Sequence, residues 1–292
     1  MIRLFAFVMA VVLTLLTFSS TCLAYGSVPL RFAITPFRSS DSVQVRFERD
    51  REGHSQNDWD SSFRPSELAG LDLAALDGAA ARPIHFTIAR EPGRIDCTGT
   101  GAAATAHGTC GATADADFLA LLNRHGIGQP NDDQLLGLIA LNVHRNLIEA
   151  LAAARFPTPS IGQLIELTAV GVTPDYIRGL EAAGYRPQSL DGLVQFAALK
   201  ITPEFIGSYI RAGYSGLQPE ELVQLKALDI KPEFIAGFER IGYRHLPVET
   251  LVQLKALNIT PEFVRSVQQG GPLPSPERLV ELRAIGRDFL NH

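Results

Sequence analysis

A pentapeptide recurs at fixed spacing in the C-terminal half of the chain. Val172-Thr173-Pro174-Asp175-Tyr176 returns as Ile201-Thr202-Pro203-Glu204-Phe205, Ile230-Lys231-Pro232-Glu233-Phe234 and Ile259-Thr260-Pro261-Glu262-Phe263. Residues 172, 201, 230 and 259 stand 29 apart. A second block keeps the same step: Leu164-Ile165-Glu166-Leu167, Leu193-Val194-Gln195-Phe196, Leu222-Val223-Gln224-Leu225 and Leu251-Val252-Gln253-Leu254. A fixed step of this length means one supersecondary unit stacked on copies of itself. Stacked units present surface for binding more readily than a catalytic pocket.

Each unit reads as two short helices. The first carries the Leu-Val-Gln-Leu block and is entered from Ser160, Ser189, Pro219 or Pro247. The second begins at Thr-Pro, where threonine caps free N–H groups and proline takes the first helical position at no cost in donors. Asp175, Glu204, Glu233 and Glu262 follow and complement the helix dipole. Lys231 replaces the threonine in one unit, so that helix start is weaker by about 1 kcal/mol. Gly184, Gly213 and Gly242 supply left-handed C-caps, each followed by a tyrosine (Tyr185, Tyr214, Tyr243). Gly271 keeps the position, but Pro272 follows and alters the last unit. Leu279-Val280-Glu281-Leu282 opens a terminal half-unit that caps the array. Two helices of about ten residues bury no core alone, so stacking supplies the stability.

Upstream the periodicity changes. Leu30–Ile34, Val43–Phe47, Ile84–Ala89, Arg94–Gly99 and Ala106–Cys110 read as strands, and Pro65–Leu71 as a short helical or turn segment. Residues 48–62 turn polar and read as a loop in which Trp59 folds back on the sheet. The last two strands form a hairpin around Gly101–Thr105, which sets Cys97 opposite Cys110. A disulfide there closes a short loop, with a gain of about 3 kcal/mol; the alternative is two buried thiols. Ala116–Arg124 is a helix, and a second apolar run extends from the caps at Asn131–Gln134 to Ala154. Pro157 and Pro159 then break the chain. The expected fold is α+β: a small antiparallel β domain (25–114), connecting helices (115–159) and a helix-hairpin solenoid (160–292).

Residues 1–24 have the order of a secretory signal. Arg3 precedes an apolar run, Leu4–Phe18, and a small-residue stretch ends at Ala24. The competing readings are an uncleaved anchor, for which the run is short, and a lipid on Cys22, for which Ser19 stands where leucine is wanted. A periplasmic or secreted location follows, with no membrane span after cleavage. Cys97 and Cys110 are then in an oxidising compartment.

The chain carries a formal net charge of −5 and no basic run with interleaved aromatics, which argues against nucleic acid as a partner. Its histidines are scattered, with no H-E-x-x-H pattern, no G-x-S-x-G elbow and no P-loop. Asp58-Trp59-Asp60 has the start of a calcium loop but lacks the following glycine and distal glutamate. No catalytic residue, cofactor or metal is assigned. Gln195, Gln224 and Gln253 form the candidate binding face, a polar ladder for an extended peptide; the plainer alternative is a solvated or inter-repeat bonding position. The tyrosines suit core or cap packing better than carbohydrate stacking, and Lys226 and Lys255 read as exposed face.

One resemblance spans nearly all of the chain beyond the signal. Val43-Gln44-Val45, Trp59, Leu68-Ala69-Gly70-Leu71, Phe86 to Gly93, Gly99, Gly108 and the Thr-Pro-Glu-Phe and Gly-Tyr repeats are together similar to the extracytoplasmic region of bacterial membrane zinc metallopeptidases of the β-lactam-sensor class. The resemblance implies an envelope location and a sensing or partner-binding role. Proteolysis does not carry over, because the chain has one hydrophobic segment and no zinc motif. The expected function is a non-enzymatic module binding a protein or peptide. Its rivals are an envelope hydrolase with a site between the β domain and residues 131–154, and a structural spacer.

Overall fold

A computed structural model describes residues 30–35, 42–49, 59–73, 76, 78–268 and 270–288. The expected signal, residues 1–24, and residues 50–58 of the expected loop lie outside the described residues. Six strands, β1 (Leu30–Ile34), β2 (Val43–Arg49), β3 (Trp59–Phe63), β4 (Arg82–Arg90), β5 (Gly93–Ala102) and β6 (Thr105–Ala114), form one antiparallel sheet in the order β3-β2-β1-β6-β5-β4.

Alternation builds the core. Leu30, Phe32 and Ile34 of β1, Val45 and Phe47 of β2, and Phe86 and Ile88 of β4 turn to one face and are buried. The sheet curls until Phe32 and Phe86, from strands that are not neighbours, meet edge to face at 5.0 Å. The curl requires two glycines. Gly99 and Gly108 pair across β5 and β6, and a Cβ on either would stand 2.1 Å from a carbonyl oxygen of the opposite strand. On Gly108 it would also meet the Phe32 ring at 2.7 Å.

Cys97 and Cys110 are in register on these strands, buried in the core, with an S–S distance of 2.00 Å. This is the expected pairing.

β3 corrects the expected loop, which extended to residue 62. Its signal is hidden because serines occupy two of its five places. Polar partners on β2 hold it instead: Asp60 takes Arg46 at 2.9 Å, and Gln44 donates to Ser62 at 2.9 Å. A 3-10 turn at Pro65–Glu67 and a bridge between Ala69 and Thr87 then cover part of the free edge of β4.

Twelve helices follow in chain order: α1 (Ala116–Arg124), α2 (Asp132–Ala140), α3 (Arg145–Ala153), α4 (Ile161–Ala169), α5 (Pro174–Ala182), α6 (Leu190–Ala198), α7 (Pro203–Arg211), α8 (Pro219–Ala227), α9 (Pro232–Glu239), α10 (Val248–Ala256), α11 (Pro261–Gln268) and α12 (Pro276–Asp288). Even-numbered helices pack on even ones and odd on odd, giving two layers around one continuous core. The 29-residue step of the repeats runs back through residues 116–153: the odd helices begin at 116, 145, 174, 203, 232 and 261.

The expected single run from Asn131 to Ala154 is two helices, α2 and α3, bent by 94°. The break is the same cap that ends every other even helix up to α10. Asn142, Gly171, Lys200, Asp229 and Asn258 all have positive φ, and the next residue's N–H returns to a carbonyl five residues back. Gly126, Arg155, Gly184, Gly213 and Gly242 do the same for the odd helices. In the last unit the left-handed residue is Gly270, not Gly271.

Threonine caps form as expected at Thr173, Thr202 and Thr260, while Lys231 supplies no side-chain cap. Proline serves a second purpose between units. Pro203 packs where a Cβ on Gly179 would sit, at 2.6 Å, and Pro261 packs likewise on Gly237 at 2.9 Å. A glycine in the middle of α5 or α9 is therefore the socket for the next unit's proline.

Candidate interaction surface

Gln195, Gln224 and Gln253 occupy one position on α6, α8 and α10, and all three are exposed. Their side chains make no hydrogen bond among the described residues, so the inter-repeat bonding alternative does not apply. Four residues earlier stand Asp191, Glu220 and Glu249; three later stand Ala198, Ala227 and Ala256; all six are exposed. Residues spaced by three and four share a helix face. Each of these units therefore turns an acid, an amide and a small apolar residue outward in one stripe. The acids sit in the first turns of their helices, where the dipole favours them. None of the three forms an ion pair among the described residues. α4 and α12 carry Glu166 and Glu281 at the glutamine position.

Behind this stripe the units are bolted together, and here the expectation for the lysines is corrected. Lys226 lies 4.7 Å from the centre of the Phe205 ring, Lys255 5.3 Å from Phe234, and Arg283 5.1 Å from Phe263. Lys255 also donates to the Asp229 carbonyl at 3.1 Å, and Arg283 to Leu257 at 3.1 Å. Lys255 and Arg283 thereby satisfy carbonyls at the C-terminal end of the preceding unit's helix. They are inter-unit clamps rather than free surface.

The tyrosines are bolts too. Tyr214 donates its hydroxyl to Leu246 at 2.8 Å and Tyr243 to Pro274 at 2.5 Å, each just before the next even helix. Tyr176 donates to Ile201 at 2.8 Å. Tyr185 faces the matching Leu217 carbonyl but falls short of good geometry, leaving its buried hydroxyl unsatisfied. Burial pushes Tyr176, Tyr209 and Tyr214 up to about 12. Tyr185, Tyr214 and Tyr243 are buried, so none offers a ring to a sugar.

The junction between sheet and helices is built by two adjacent residues at the end of β4. Arg90 donates to the carbonyls of Ile139 and Ala140 at the end of α2, and to Glu67 at 2.9 Å. Its guanidinium also lies over the Phe63 ring, 5.2 Å from the centre. Glu91 accepts the backbone N–H of Arg145 at 2.9 Å and bonds the His144 ring at 2.9 Å. A cation thus meets a helix C-terminus and an anion meets a helix N-terminus. Burial pushes the Glu91 carboxyl up, but the Arg145 N–H, His144 and the Arg145 guanidinium outweigh it and hold it below the usual range. α2 completes the junction by being apolar on two sides: Leu136 and Ile139 enter the sheet core, Leu138 the helical core.

The hydrolase rival placed its site at this junction. Asn142, His144 and Glu91 do form a hydrogen-bonded chain there, with links of 3.1 and 2.9 Å. No serine, threonine or cysteine hydrogen-bonds His144 among the described residues, and Glu91 is engaged as a helix cap. On the odd layer, a shallow depression of about 420 Å³ lies over Asn146, Glu149, Asp175 and Arg178. Its one cation, Arg178, is paired with Asp175. Among the described residues no group of three metal-ligating side chains comes together.

Searches against protein families, curated proteins and solved structures find no match to this chain.

Proposed function

We propose that the protein is an exported, non-enzymatic module of the bacterial envelope that binds a protein or peptide along the outward face of its even-numbered helices. One observation carries this: the same exposed, unbonded glutamine recurs on three successive units. A primary amide both donates and accepts, which suits the backbone of an extended chain. Repetition at a fixed step turns three weak contacts into one long interface.

Export is supported by the N-terminal pattern and by the disulfide-distance cysteine pair, which fits an extracytoplasmic protein. Among the described residues no single helix is long and apolar enough to cross a membrane. The likeness of the Thr-Pro-Glu-Phe and Gly-Tyr repeats to the extracytoplasmic part of the sensor-class peptidases supports a sensing or regulatory setting.

The test is photo-crosslinking in native envelope, with probes at Gln195, Gln224 and Gln253 and controls on the odd layer at Glu204 and Glu233. A partner captured from the glutamine positions alone supports the proposal. Capture from both layers alike, or from neither, counts against it, and a broad hydrolase screen then becomes the discriminating experiment.

A further inference from the structure

The binding-module proposal leaves the chemistry of the partner open, and the outward stripe constrains it. Every even helix from α4 to α12 turns at least one carboxylate to solvent in this stripe: Glu166, Asp191, Glu220, Glu249, and Glu277 with Glu281. Lys226 and Lys255 are drawn back over phenylalanine rings, and at the last step Arg278 is paired with Glu281 at 2.9 Å, beside Glu277. The stripe is therefore negative along its length, with a charge at each step of the stack. Packed helices stand about 8–10 Å apart. A polyproline II chain advances about 3.1 Å per residue and turns once in three residues, or roughly 9 Å. An extended chain laid along the stack so presents the same face to each successive unit. The alanines at 198, 227 and 256 leave room for its backbone to approach the glutamine amides.

We infer that the partner segment is an extended basic peptide carrying a lysine or arginine at every third residue, each facing the carboxylate of one unit. This rests on the binding-module proposal, and the two fail separately. Acids in a first turn also serve the helix dipole, so charge alone does not decide the matter; register does. The odd layer supplies the control, because Asp175, Glu204 and Glu233 repeat at the same step in first turns but have no glutamine ladder beside them.

The experiment titrates the purified protein calorimetrically with synthetic peptides at about 20 and about 150 mM salt. The probes are Lys-Pro-Pro repeated four times, Lys-Pro-Pro-Pro repeated four times, and Glu-Pro-Pro repeated four times. The expected result is that the three-residue register binds at least about tenfold tighter than the four-residue one and that the glutamate peptide does not bind. The triple variant Asp191→Asn, Glu220→Gln, Glu249→Gln then loses about tenfold or more, while Asp175→Asn, Glu204→Gln, Glu233→Gln leaves binding unchanged. Equal binding of both lysine registers, or equal loss in both triple variants, reduces the effect to net charge and overturns the inference. Absence of binding also overturns it. A non-basic partner captured at the glutamines sinks this inference while leaving the binding module intact.

Discussion

Glu91 accepts the backbone N–H of Arg145 at 2.9 Å, across the boundary between the sheet and the first full helix pair. Its neighbour Arg90 holds the end of α2 from the same strand. The two residues fix the angle at which the helical stack leaves the β domain. Replacing Glu91 by glutamine keeps its shape but weakens the cap, at a cost of about 1 kcal/mol. The sign of the pH dependence follows from a lowered carboxyl pKa. The stabilisation is fully present above the unfolded value near about 4.3 and is lost as pH falls through the lower folded value. Urea midpoints of wild type and Glu91→Gln should differ at neutral pH and converge in acid. A difference that persists in acid sinks the assignment.

Tyr185 and Tyr214 are repeats of one position with opposite hydrogen-bond status. Tyr214→Phe leaves the buried Leu246 carbonyl short of a partner and costs about 1–2 kcal/mol. Tyr185→Phe removes a hydroxyl that is already unsatisfied, so its effect is within about 0.5 kcal/mol or stabilising. Equal losses in thermal unfolding would show that the two units are bonded alike.

Alanine scanning of helix glycines separates propensity from packing. Gly207 in α7 has open space beyond the flexible Arg211 side chain, so Gly207→Ala stabilises by up to about 1 kcal/mol. Gly237 in α9 receives Pro261, and a Cβ there stands 2.9 Å from the proline ring. Gly237→Ala therefore destabilises, by about 1–3 kcal/mol, despite the same gain in helix propensity. The two midpoints should move in opposite directions.

Alkaline titration reads the bolts together. Tyr176, Tyr209 and Tyr214 have raised pKa values, so native stability falls once pH passes the unfolded phenol value near about 10. In a Tyr25→Phe variant, which removes the tyrosine that lies outside the described residues, tyrosinate absorbance should rise in step with loss of helical circular dichroism. Early ionisation with intact helices would contradict the burial described for these rings.

The step of the array was legible because Thr-Pro and Gly-Tyr punctuate it at fixed positions. It faded upstream where other residues do the same work. Asn142 and Arg155 hold left-handed caps that glycine advertises at Gly171 and Gly184, so the break between α2 and α3 read as one run. β3 was missed because Ser61 and Ser62 give no alternation, and its outward pairing depends on Arg46 and Gln44. The disulfide was legible from the hairpin spacing together with the export pattern at the N-terminus. The exposure of the glutamine column followed from helix periodicity, but the clamps did not. The place of Lys226 over Phe205 links residues in successive units, and the distance between them appears only when the units stack.

The central claim is that the units are equivalent layers whose outward face, rather than a pocket, carries function. Removing residues 189–217, one whole unit, tests it most directly, with folding and partner capture read on the same protein. Tyr185 then faces the carbonyl next met by Tyr214. The account predicts a folded, cooperatively melting chain with proportionately less helix, whose crosslinking through Gln224 and Gln253 is weakened but not abolished. A chain that fails to fold, or one that captures its partner unchanged, contradicts it.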